Sequence, residues 1–197
     1  YTHSHTDHFG GVKGIVSQAD VDAGKVQVIA PDGFLEEAVS ENVIAGVAMS
    51  RRANYQFGIG LTPGVDGQMS SGIGKGISKG TITLIAPTVS IHKTGETLVV
   101  DGVKIEFQVT PGTEAPAEMN MYFPDLRILC MAENANATMH NVLTPRGALV
   151  RDARAWAGYL SESIRLFGDR TDTMFTSHGW PRFGGEVVFK CFGDHRD

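Results

Sequence analysis

Three imidazoles and a carboxylate crowd into six consecutive residues near the start of the chain, His3-Ser4-His5-Thr6-Asp7-His8. Neutral imidazole nitrogen and carboxylate oxygen are ligands that Zn(II) accepts. Gathering both so densely is costly without a cation to offset the desolvation. Side chains alternate along an extended segment, so His3 and His5 can point to one side, while Asp7 and His8, past a turn, can face a second ion. The spacing therefore predicts two metal ions. A solvated histidine-rich loop is the competing reading. The residues that follow, Phe9-Gly10-Gly11-Val12-Lys13-Gly14-Ile15, argue against it, because they read as a tight turn entering a helix.

The elements that must hold such a site come from a chain of 197 residues, 42% hydrophobic, a length and composition suited to one ordinary domain. The net charge of -5 and the lack of a Lys/Arg run argue against general nucleic-acid binding, which needs a basic face. No apolar stretch approaches the length of a membrane span, and no signal peptide leads the chain; residue 1 is Tyr, so the sequence reads as part of something longer. Two cysteines cannot make a disulfide framework, and Cys130, inside Ile128-Leu129-Cys130-Met131, reads as a small buried hydrophobe.

Strand and helix signals alternate, which gives an α/β class. A helix opens at Gly11, a β-branched run covers 26–30, and a second helix runs from Gly33 towards Arg52. In that helix Leu35, Val39, Val43 and Val47 form an apolar stripe expected to cover a sheet, beside Glu36, Glu37 and Glu41. Residues 55–80 are rich in glycine and read as a long loop beside a binding cleft. Within it, Gly72-Ile73-Gly74-Lys75-Gly76 lacks the frame of a phosphate loop. Strands are predicted over 81–85, 97–100 and 103–107, with Asp101-Gly102 as a hairpin turn. A second hairpin joins 119–123 to 126–131 around Pro124-Asp125, a helix covers 151–167, and a last short strand covers 174–176. His92 and His195 carry no motif and read as surface residues, and Trp156 and Trp180 read as packing groups.

His-x-His-x-Asp-His resembles the signature of the metallo-β-lactamase fold. The wider stretch over 2–11, together with Gly112-Thr113-Glu114-Ala115-Pro116-Ala117-Glu118 and Ala132-Glu133-Asn134-Ala135-Asn136-Ala137-Thr138-Met139-His140-Asn141, resembles the alkylsulfatase branch of that superfamily, and the likeness extends over essentially the whole chain. The resemblance implies an αββα sandwich in which residues 1–197 are an N-terminally truncated, partial catalytic domain. Strands would precede residue 1, and a dimerisation region and a sterol-carrier-like domain would follow residue 197, in a homodimeric parent.

The resemblance further implies two Zn(II) per chain. His3, His5 and Glu114 would hold one, Asp7, His8 and His178 the other, and Glu133 would bridge them. Taken alone, Glu114 and Glu133 read as solvated surface carboxylates, but both, like His178, follow apolar strands, where side chains can converge on one rim. Asn141, Arg146 and Arg151 would surround a sulfate group, whose oxygens a guanidinium fork matches. His140 could donate a proton to the leaving group or satisfy a core hydrogen bond, the second being favoured. The implied activity is hydrolysis of primary alkyl sulfate esters such as dodecyl sulfate to alcohol and inorganic sulfate by a metal-activated water. Two other readings stand beside it: a lactam, lactone or thioester hydrolase on the same fold, and a non-catalytic zinc-binding fragment.

Overall fold

The computed structural model describes residues 1–72, 74 and 80–197. His3 lies in an extended segment that makes an antiparallel bridge to Glu118, and the chain then winds one helical turn, α1 (Thr6–Phe9). A 3₁₀ turn at Val12–Gly14 and the short helix α2 (Gln18–Asp22) lead to β1 (Ile29–Pro31). Helix α3 (Phe34–Val39) continues through a π-helical turn (Ser40–Ile44) into α4 (Gly46–Phe57). After a long irregular stretch, β2 (Val89–Ile91) pairs in parallel with β1, which makes the first sheet.

The second sheet is β3 (Thr97–Val100), β4 (Val103–Val109), β5 (Met119–Phe123), β6 (Ile128–Cys130), β7 (Thr173–Phe175) and β8 (Arg182–Phe183), paired in that order. Helix α5 (Ala153–Phe167) crosses from β6 to its parallel neighbour β7, and α6 (Gly185–Arg196) follows β8. Asp101 and Gly102 both adopt positive φ, 48° and 79°, as the predicted two-residue hairpin requires.

Alternation along the strands builds the layers. On β4 and β5, Phe107 and Met119 meet Ile91 and Ile29 of the first sheet. On the opposite face, Tyr122, Leu129 and Met174 meet Trp156, Leu160 and Phe167 of α5 and Val188 and Phe192 of α6. On the outer side of the first sheet, Phe34 and Ala38 of α3 pack with Ala30 and Phe9. The result is a helix, sheet, sheet, helix sandwich. Because β4, β6 and β7 run in one direction, their C-terminal ends open on one edge.

Several sequence expectations need correction. The predicted stripe of the second helix does not face the sheet: Leu35, Val43 and Val47 are exposed, and the buried face is Phe34, Ala38 and Met49. The π-helical turn, closed by Ala45 N–H donating to the Ser40 carbonyl at 3.0 Å, widens the helix and breaks the period on which the stripe was drawn. The stretch 81–85 is not a strand. Ile85 is buried there, but the segment bonds to loops, with Thr83 N–H to the Gly10 carbonyl at 2.8 Å, and the strand forms at β2. The helix expected at Gly11 shrinks to a 3₁₀ turn. Helix α6 escaped the sequence reading, since Gly184, Gly185 and Gly193 masked its period. Helix α4 extends into the predicted loop as far as Phe57, and positions 73 and 75–79 of the glycine-rich stretch lie outside the described residues. Trp156 packs in the core as expected, whereas Trp180 is 89% exposed and His195 is half-buried, its ring edge against Trp156.

Candidate metal centre

The common strand edge explains the convergence. Glu114 follows β4, Glu133 follows β6 and His178 follows β7, so the three turns emerge side by side. The His3–Glu118 bridge and α1 bring the N-terminal segment across the same edge. His3 Nε2 and His8 Nε2 each stand 3.1 Å from Glu133 Oε2. Asp7 Oδ2 stands 3.1 Å from His8 Nε2 and 3.3 Å from His178 Nε2, and Glu133 Oε1 lies 3.6 Å from the latter. His5 Nδ1 lies 3.4 Å from Glu114 Oε1.

These side chains form three overlapping groups whose ligand atoms lie within 4.8 Å of one another: His3, His8 and Glu133; Asp7, His8 and His178; His5, Glu114 and Glu133. Glu133 belongs to two groups, as a bridging carboxylate would. His3 groups with His8 and Glu133 rather than with His5 and Glu114.

The residues fit a metal on the chemistry of their lone pairs. The Nε2 atoms of His3, His8 and His178 are buried and have no hydrogen-bond partner among the described residues, although carboxylate oxygens stand close by. Nitrogens and oxygens that approach without bonding geometry are aimed at common points between them. His3 Nδ1 lies 3.0 Å from the Thr2 hydroxyl, which fixes the ring with Nε2 facing the cluster.

Charge gives a second sign. Burial, then the neighbouring Glu133 charge, push the Glu114 carboxyl up to about 10. Burial opposes ionisation of Glu133 too, but His3 and His8 hold it well below the usual carboxylate range. Burial likewise works to raise Asp7, and the His178 and His8 imidazoles overcome it and hold the group low. His8, which burial would lower, is raised to about 9 by Asp7 and Glu133. Protons on His8 and Glu114 thus offset negative charge that a divalent cation would offset when bound.

Cationic groups flank the cluster. Arg146 Nη2 donates to Glu41 Oε1 at 3.0 Å and lies 3.2 Å from His5 Nε2. Its main chain is clasped by α4: Arg146 N–H donates to Gln56 Oε1 at 2.8 Å, and Arg52 Nη1 to the Arg146 carbonyl at 3.4 Å. Gly147, at φ 95°, makes room for this approach, since a Cβ there would meet Arg52 Nη1 at 2.3 Å. Arg151, buried, donates to Glu114 Oε1 and to the Asn141 carbonyl. A cleft of about 250 Å³ beside these groups is lined by His5, Glu41, Met49, Glu114 and Arg151.

The Asn141 side chain is exposed. His140 stacks on Trp156 with centroids 4.4 Å apart, and burial, then the Arg151 charge, lower it to about 4, so it is neutral at pH 7. Its Nδ1 is 3.9 Å from Glu114 Oε2. Two carboxylates carry more of the site than the sequence reading gave them. Glu41 faces the cleft because the π-helical turn aims it there. Glu118, fully buried, binds the turns that carry Glu114 and Glu133; its only signal in the sequence was its place at the end of the Gly112–Glu118 motif.

Comparison with known proteins narrows the family. The chain is 53% identical over its length to an (R)-specific secondary-alkylsulfatase and 51% identical to a linear primary-alkylsulfatase, both from Pseudomonas sp., and spans 30% and 29% of those proteins. The solved structure of the stereoselective inverting sec-alkylsulfatase Pisa1 from Pseudomonas sp. superposes with a TM-score of 0.95 at 52% identity, over 100% of this chain and 31% of that one. Residues 1–178 match the family described as "Metallo-beta-lactamase superfamily". That match ends on His178, the last of the clustered side chains, and the chain belongs to the metallo-beta-lactamase superfamily.

Proposed function

We propose that residues 1–197 are part of the catalytic domain of a longer alkylsulfatase, a hydrolase that cleaves alkyl sulfate esters to alcohol and inorganic sulfate. The observation that carries this reading is the pair of guanidinium groups, Arg146 and Arg151, set against the rim of the His and carboxylate cluster. A metal-hydrolase site for a neutral ester has no need of two fixed cations, whereas the oxygens of a sulfate ester match the guanidinium fork. The names of the relatives support the same substrate class.

The donor set of imidazoles and carboxylates suits two Zn(II), with His3, His5, Asp7, His8, Glu114 and His178 as terminal ligands and Glu133 between them. Zn(II) bound there would supply the acidification of water that makes a nucleophile available near neutral pH. The protein groups do the rest. Arg146, with Asn141 beside it, orients the sulfate and offsets charge as the ester bond breaks. Arg151 holds Glu114 in place and adds positive charge behind it. His140, neutral and stacked on Trp156, packs the floor of the site in preference to donating a proton.

Release of sulfate from dodecyl sulfate by the zinc-loaded protein tests the reading, with a secondary alkyl sulfate alongside to separate chain type. Turnover of a lactam or thioester without sulfate release would replace it. Zinc binding with no turnover of any of them would reduce the chain to a metal-binding fragment.

A further inference from the structure

We propose that Glu118, which does not belong to any group of candidate ligands, is the positioning residue of the metal centre: one buried carboxylate that sets the main chain of Glu114 and of Glu133 at once. The proposal rests on the metal reading above. Glu118 is completely buried. Its Oε2 accepts from the Glu114 N–H at 2.9 Å, the Ala115 N–H at 3.3 Å and the Thr113 hydroxyl at 2.8 Å. Its Oε1 accepts from the Glu133 N–H at 3.2 Å. The residue's own main chain closes the third side, since Glu118 bridges His3 and the next amide, Met119 N–H, donates to the Thr2 carbonyl at 2.9 Å. Three segments that carry cluster side chains, at residues 3, 114 and 133, are thus tied to one residue.

The chemistry of this arrangement argues for function over mere support. A buried carboxylate is an expensive way to satisfy three amides and a hydroxyl, and here it sits beside two further buried carboxylates, Glu114 and Glu133. What it offers in exchange is a rigid fork. Both oxygens are fixed by the same planar group, so the spacing between the Glu114 and Glu133 turns is set by the geometry of a single side chain. Groups that orient ligands in this way typically change metal affinity ten- to a hundredfold when altered.

Glu118→Gln keeps the shape and replaces one acceptor oxygen with an NH₂ donor. That donor must face an N–H either at Glu133 or at Glu114, so one turn has to move. The test measures zinc stoichiometry and chelator-competition affinity, the visible spectrum of the Co(II)-loaded protein, and the thermal midpoint of the metal-free protein. We expect zinc affinity about ten- to a hundredfold weaker and a changed Co(II) spectrum in folded Glu118→Gln. A lowered metal-free midpoint with affinity and spectrum both unchanged would assign Glu118 a purely structural part and overturn the proposal. Should Glu118→Gln fail to fold, Thr113→Val removes one hydrogen bond and leaves the charge. Weaker zinc affinity in that variant supports the proposal, and unchanged affinity overturns it. Absence of metal from the parent protein would instead remove the metal reading, and the proposal with it.

Discussion

Glu41 and Arg146 set up a competition that can be measured. The guanidinium intended for a sulfate oxygen is held by a carboxylate at 3.0 Å, and the two side chains are only 15% and 17% exposed. An alkyl sulfate that uses Arg146 has to share or displace Glu41, and the carboxylate repels the incoming anion as well. A unit-charge pair at this distance interacts by several kcal/mol at the effective dielectric of such sites, but desolvation and side-chain entropy leave about 1–2 kcal/mol net. Replacing the charge in Glu41→Gln removes that opposition while keeping the shape. Binding of the sulfate ester should tighten about 5- to 30-fold, read as a lower KM with kcat little changed. Steady-state sulfate release from octyl sulfate, below its micellar range, is the assay. A KM that stays the same or rises in Glu41→Gln would refute the reasoning, because it would mean that Glu41 holds Arg146 in its working pose.

Metal affinity should climb with pH. His8 and Glu114, raised to about 9 and about 10, carry protons at pH 7 that Zn(II) must displace, so binding releases about two protons there and strengthens until both groups have titrated. Calorimetry in buffers of different ionisation enthalpy measures this, and zero proton release would contradict it. In the metal-free protein the same two raised groups act in one direction on stability. The His8 contribution is complete below the unfolded value of about 6.5 and is lost as pH rises through about 9, so the metal-free thermal midpoint should fall over that window. On the far face of the second sheet, Leu160 is 1% exposed among Trp156, Phe167, Met174 and Phe192. Leu160→Ala should cost about 2–5 kcal/mol in urea unfolding, and a loss below about 1 kcal/mol would show that this layer collapses around the gap.

The site was more legible than the frame that holds it. His3 to His8 announce ligand chemistry by density alone, and the turn at Asp101-Gly102 follows from backbone conformations that few residues accept. The ligands that come from afar, Glu114, Glu133 and His178, were readable through family motifs and through their place after apolar strands. Elements whose formation depends on partners were harder to read. The segment 81–85 has the composition of a strand, yet the hydrogen bonds it makes are to Gly10 and Tyr1, and composition does not say which neighbour arrives. Helix α6 hides behind glycines that tertiary packing overrides through Val188, Cys191 and Phe192. Glu118 has no local signature, because its role consists of contacts to residues that only the folded sheet brings within reach.

The π-helical turn at Ser40–Ile44 has a further consequence for how the chain tolerates length changes. It is one residue wider than an α-helical turn, and everything after it on α4 is phased by that extra residue. Arg52 and Gln56, which clasp the main chain of Arg146, lie downstream, while Asn42, hydrogen-bonded to the carbonyls of Ser4 and Ala38, anchors the turn itself. Deleting one residue between 40 and 44 would let the helix close into regular winding and rotate α4 by about 100°. Such a deletion would unhook the Arg146 loop and leave every candidate metal ligand in place. A single-codon loss in a surface helix could therefore separate anion recognition from metal binding, which no substitution at either site would do so cleanly.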